Sequence, residues 1–229
     1  MTGSRILRLR LRDIQVWPLE EVAALLQTGG VIAYPTETVY GLGVDALNEE
    51  AVKRLFQIKS RDLRKPVSVL VRDIEMLARV VSNIHPVAKP IMECHWPGPV
   101  TIVFPASKEV PPALTGHSGN IGVRISPHPF VKRLFEFFNS PLTSTSANVS
   151  GGRSLLEPED IFRTFGPGID LVIDMSESLG DKASTVIDVT GGSPRILRKG
   201  AVHVAGIFER REEPSSGEIQ DEPDGLIDK

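Results

Sequence analysis

Short β-prone apolar runs alternate with helix-length amphipathic stretches along almost the whole chain, and this alternation limits the possible folds more than any other feature. Strands are expected at residues 31–34, 67–71, 100–104, 121–125, 142–145, 171–174, 185–189 and 195–197. Helices are expected at 18–28, 73–81, 86–95, 129–138 and 158–165, with a further one behind Asn48 that carries Val52, Leu55, Phe56 and Ile58 at helical spacing. Strand–helix alternation builds a sheet with helices laid against it. The Gly191-Gly192 turn between the last two runs folds them back as an antiparallel pair. The expected fold is a single α/β domain, an open twisted mixed sheet with flanking helices. No internal repeat or linker divides it.

The N-terminal run SRILRLRLRD alternates Arg with Leu, lacks the continuous apolar core of a secretory signal, and reads as an edge strand. Residues 1–18 form that N-terminal segment, 19–209 the main body and 210–229 a polar tail. From Glu209 onward eight acidic residues face three basic ones, a net of −5, so within the chain's −3 the body carries +2. That tail, with Pro214, Ser215, Ser216, Gly217 and Pro223, is expected to be disordered. A near-neutral body argues against a dedicated nucleic-acid binder. A single cysteine, Cys94, excludes an internal disulfide framework and fits a reducing, cytoplasmic setting. No spacing among the histidines and Cys94 matches a metal-ligand pattern, so no metal site is expected.

Three stretches carry the candidate chemistry. In VIAYPTETVYGLG, residues 31–43, a strand breaks at Pro35 into a loop holding Thr36, Glu37, Thr38 and Tyr40, followed by Gly41 and Gly43. Between residues 53 and 72 cations outnumber acids seven to one. Lys53 and Arg54 fall on a solvated helix face, whereas Lys59, Arg61, Arg64 and Lys65 fall in a loop beyond it, where a phosphate could be gripped. Residues 144–152, STSANVSGG, offer small hydroxyls, an amide and two glycines, a donor-rich set for an anion or sugar. Ser184 and Thr185, with the cations Arg195, Arg198 and Lys199, form a further polar group. No GxxxxGK[ST] or GxGxxG motif is present.

Together YPTETVYGLG, Lys59-x-Arg61, HWPGPVT, VRIS, TSANVSG and STVIDVTGGSPRILRKG resemble the YrdC-type threonylcarbamoyl-AMP synthases over about residues 19–209. The resemblance implies a basic concave groove in a YrdC-like sheet. It implies an L-threonylcarbamoyladenylate synthase, a nucleotidyltransferase joining L-threonine, bicarbonate and ATP, with Mg²⁺ accompanying the ATP. Its product would feed threonylcarbamoyladenosine formation in tRNA, through tRNA or a tRNA-modifying transferase complex. By resemblance Lys59 and Arg61 are the catalytic pair and hold phosphate; Ser146, Asn148, Ser154, Asn120 and Arg198 complete the ATP site; Thr36, Ser68, Arg124, Ser144 and Ser184 receive threonine. Arg124 is expected to offer its planar fork to the substrate carboxylate, with an ion pair to Asp188 or Glu37 as the alternative. The chain departs from the family at Asp62, where many members have Pro, and at Asn120, where Thr is frequent, and it is expected to lack the longer members' extra C-terminal domain. The rival readings are an RNA-binding module for tRNA or double-stranded RNA, and a carbamoyl-adenylating paralogue on the same fold.

Overall fold

The computed structural model describes residues 5–175, 180 and 182–203; the acidic tail lies outside the described residues. The strands are β1 (Arg5–Arg8), β2 (Ile32–Tyr34), β3 (Gly41–Gly43), β4 (Ser68–Leu70), β5 (Val100–Pro105), β6 (Asn120–Arg124), β7 (Leu142–Ser146), β8 (Leu171–Asp174), β9 (Thr185–Asp188) and β10 (Arg195–Arg198). They hydrogen-bond in the order β1-β8-β2-β3-β7-β4-β6-β5-β9-β10. Parallel pairs (β1–β8, β2–β8, β4–β6, β5–β9) are interleaved with antiparallel ones, so the sheet is mixed as expected. β1 lies at one edge, and the β9–β10 pair is antiparallel at the other.

The helices are α1 (Leu19–Gln27), α2 (Glu49–Ile58), α3 (Ile74–Val80), α4 (Ala88–His95), α5 (Pro129–Leu134) and α6 (Pro158–Phe165). Polar side chains cap three of them: Asn48 Oδ1 accepts from the Ala51 amide at 3.1 Å, Asp73 Oδ1 from the Met76 amide at 2.8 Å, and His128 Nδ1 from the Phe130 amide at 3.3 Å. Each satisfies a donor that the first helical turn would otherwise leave unpaired. The core runs along the central strands; every residue of β2 is buried, as expected where helices cover both faces.

Three elements differ from expectation. β3 was expected as loop, because its two glycines carry no strand signal; it pairs with β2 and β7 through its backbone alone. α5 stops at Leu134, where the Glu136 and Phe137 amides bond three residues back and tighten the chain into a turn. Arg54 is not merely a solvated side chain. It grips Asp170 at 2.9 and 3.2 Å and donates to the Gly168 carbonyl at 3.0 Å, tying α2 to the approach to β8.

Candidate functional site

One cleft gathers the three stretches that the sequence marks. Its cavity volume is about 180 Å³, and its mouth opens to solvent. Its wall is assembled from the β2–β3 loop, the segment before β4, the strands β4 to β7, Ser154, the approach to β9, and β10.

Register explains the floor. Ser68 on β4 stands directly opposite Ser144 on β7, and Arg124 on β6 opposite Leu70. Strand residues alternate faces, so Gly122 shares the face of Arg124. A side chain at Gly122 would begin 3.0 Å from the Thr101 methyl and 3.1 Å from Ser68 Oγ, so glycine keeps the floor open. The Thr101 and Ser184 hydroxyls share a hydrogen bond of 2.8 Å at the β5 side. In the β2–β3 loop, Thr36 Oγ1 donates to the Val39 carbonyl at 2.7 Å and meets Thr38 Oγ1 at 2.8 Å, which locks the loop over the cleft.

The cations divide into two groups. Arg61 reaches the cleft with Nε and Nη2 braced on the Lys65 and Pro66 carbonyls at 3.1 and 2.8 Å. Arg198 likewise enters, with Nε on the Ser184 carbonyl and Nη2 on its hydroxyl, both at 3.1 Å. Burial lowers the pKa of both guanidiniums, and among the described residues neither forms an ion pair with an acid. Arg124 is different. It is 4% exposed, is ion-paired through Nη1 with Glu37, and its Nη2 lies 3.4 Å from Ser144 Oγ. Burial draws its pKa down to about 10, with Arg198 acting the same way, so it stays charged at neutral pH. Ser126 Oγ donates to the other Glu37 oxygen.

Lys59 is not in a polar loop, as the sequence suggested. It caps the C-terminus of α2, is 1% exposed, and does not line the cleft. The Ser60 and Arg61 amides bond back to the Gln57 and Phe56 carbonyls, with Ser60 left-handed at φ 50°. This Schellman turn sends the two cations in different directions. Lys59 Nζ donates to the carbonyls of Ser146 and Asn148, the latter at 2.7 Å, and to Asn148 Oδ1 at 3.3 Å. Burial, with Arg61 adding to it, pulls the ammonium down to about 7. The three oxygens oppose that shift, because only the charged form has three hydrogens to offer them.

Asn148 also stands behind the wall. Its Oδ1 accepts from Ser146 Oγ and its amide donates to the Gly152 carbonyl, both at 2.6 Å, so it folds the loop that presents Ser146. Asn120, at the outer end of β6, does not reach the cleft. Of the expected loop cations only Arg61 lines it. Arg64 is held by Asp62 at 2.7 Å, and that pairing lowers the Asp62 carboxyl to about 2. The other predicted positions, Thr36, Ser68, Ser144, Ser146, Ser154, Ser184 and Arg198, all line the cleft. Thr38 and Tyr40, which the sequence placed in the candidate loop without a ligand role, also line the cleft, as does Thr101, which sequence reasoning missed.

A mixed α/β sheet whose cleft converges arginines and hydroxyls, with no carboxylate among its described lining residues, defines a class of anion-binding site suited to phosphoryl and carboxylate groups. The chain belongs to the Sua5/YciO/YrdC family, whose model, described as telomere recombination, matches residues 24–200. It is 35% identical over 218 residues to the threonylcarbamoyl-AMP synthase of Pyrococcus abyssi, covering 95% of this chain and 62% of that protein. It is 34% identical over 183 residues to the threonylcarbamoyl-AMP synthase of Vibrio campbellii, covering 79% of this chain and 98% of that one. Among solved structures, P. abyssi Sua5 complexed with L-threonine superposes with a TM-score of 0.81 at 35% identity, over 86% of this chain and 58% of that chain. E. coli YciO superposes at 0.79 with 28% identity, over 90% and 99%. The chain therefore spans less than two thirds of the longer P. abyssi relative.

Proposed function

We propose that the chain is an L-threonylcarbamoyladenylate synthase acting in tRNA threonylcarbamoyladenosine formation. The threonine nitrogen attacks the bicarbonate carbon and water leaves, giving a carbamate. A carbamate oxygen then attacks the α-phosphorus of ATP, and diphosphate departs. Negative charge gathers on the phosphates, so the step needs fixed cations and donors more than a strong base.

The observation that carries this reading is the division of cations in one cleft. Among the described residues Arg61 and Arg198 have only carbonyl and hydroxyl partners, an arrangement suited to a polyanion. Arg124, half-satisfied by Glu37 and flanked by Ser144 and Ser68, suits a single carboxylate. In this reading Arg61, Ser146, Ser154 and Arg198 hold the nucleotide, and Arg124 with Thr36, Ser68, Ser144 and Ser184 holds threonine. Lys59 and Asn148 act through the loop they fold, and Asn120 has no role. The P. abyssi Sua5 structure complexed with L-threonine supports threonine as the substrate by family likeness. Mg²⁺ would be held through the ATP phosphates: the lining residues are hydroxyls and cations, a poor set for a bare divalent ion. The product would pass to tRNA or a modifying transferase in the cytoplasm.

The test is diphosphate release from ATP, with threonine and bicarbonate each omitted in turn. Release that requires both is expected; release indifferent to threonine overturns the reading.

A further inference from the structure

The segment Thr36-Glu37-Thr38 presents both threonines to the cleft, while Glu37 turns to Arg124 and Ser126. Arg124 is 4% exposed, and a buried guanidinium with no counter-charge is strongly disfavoured. Among the described residues Glu37 is the acid that forms an ion pair with it. The carboxylate is itself fixed: one oxygen takes Arg124 Nη1 and the other takes Ser126 Oγ, whose oxygen also accepts the His128 amide at 3.2 Å. Arg124 therefore cannot swing freely. Its Nη1 is committed to the protein, and its Nη2 edge lies beside Ser144, which with Arg124 lines the cleft.

We infer that Glu37 is a positioning residue for the amino-acid substrate: it holds the Arg124 guanidinium so that the Nη2 edge, with Ser144, receives the substrate carboxylate. This rests on the proposed placement of threonine at Arg124. It replaces the full two-pronged fork expected from sequence with a shared one, in which Glu37 takes one nitrogen and the ligand takes the remaining edge. Such an interaction is made equally in the ground state and the transition state, so its loss shows in KM rather than in kcat.

The test compares Glu37→Ala, Glu37→Gln, Arg124→Ala and the double variant Glu37→Ala/Arg124→Ala in the full chain, by diphosphate release and by calorimetric titration with threonine and ATP. Glu37→Ala should raise the threonine KM by about tenfold, with kcat and the ATP KM within about twofold. The double variant should bind threonine no worse than Arg124→Ala alone, because Glu37 acts through that arginine. Should Glu37→Ala not fold, the near-isosteric Glu37→Gln carries the same comparison, with a smaller rise in threonine KM. An unchanged threonine KM in a folded Glu37 variant, equal rises for threonine and ATP, or strictly additive losses in the double variant would each overturn the inference. If Arg124→Ala itself leaves threonine binding intact, the placement of threonine fails, which is a separate result.

Discussion

The two cationic ends of the cleft solve the same problem in opposite ways. At the Arg124 end a buried guanidinium has its own carboxylate, Glu37, and is almost out of reach of water. Arg61 and Arg198 instead lean on carbonyls and hydroxyls, and among the described residues neither pairs with an acid. A compensated cation costs less to bury but exerts a weaker field. An uncompensated one keeps a strong field at the cost of partial exposure. The contrast matches a ligand with one carboxylate at the first end and a chain of phosphates at the second.

The largest effect should come from behind the wall. Lys59→Met removes three charge-assisted hydrogen bonds, to the Ser146 and Asn148 carbonyls and to Asn148 Oδ1, each worth about 1.5–3 kcal/mol. Both the melting temperature and diphosphate release should fall; an active variant of unchanged stability would show that the loop does not depend on Lys59. Arg61→Ala should spare stability, since the side chain lies at the surface of the cleft, yet cost about 2–4 kcal/mol of transition-state stabilisation. Its readout is kcat/KM for ATP beside a thermal melt. A melting temperature that drops along with activity would blur the distinction between the two cations.

That distinction marks the limit of what the sequence could tell. Strand and helix periodicity located most elements, and the motif residues from Thr36 to Arg198 largely converge on one cleft. Lys59 and Arg61 are two positions apart and look alike in a basic run. Only the left-handed Ser60 turn sends one into the protein and the other into the cleft. Asn120 shares a strand face with Arg124, but pattern reveals the face and not the distance along it. Sequence reasoning offered Asp188 and Glu37 as alternative partners for Arg124; Glu37 is 87 residues away, and the fold, not a local pattern, selects it and leaves Asp188 to Arg195.

Smaller effects sharpen the amino-acid end. Threonine should be preferred to serine by about five- to tenfold, since one buried methyl is worth roughly 1–1.4 kcal/mol. Equal use of serine, measured by kcat/KM, would mean that the methyl group is not enclosed. The smallest effect concerns Asp62. Asp62→Asn releases Arg64 near the phosphate end and should tighten ATP binding by no more than about threefold at low salt, because the freed charge is exposed and screened. A larger gain would place Arg64 in the nucleotide site.

The two-ended cleft itself is tested most directly by crossed titration of the wild type, Arg61→Ala and Arg124→Lys with ATP and with threonine. Arg61→Ala should weaken ATP and leave threonine nearly unchanged. Arg124→Lys, which keeps the charge but loses the planar geometry, should weaken threonine and leave ATP nearly unchanged. If Arg124→Lys weakens ATP and spares threonine, the amino acid does not bind at the Glu37-paired arginine and the assignment of the two ends is wrong.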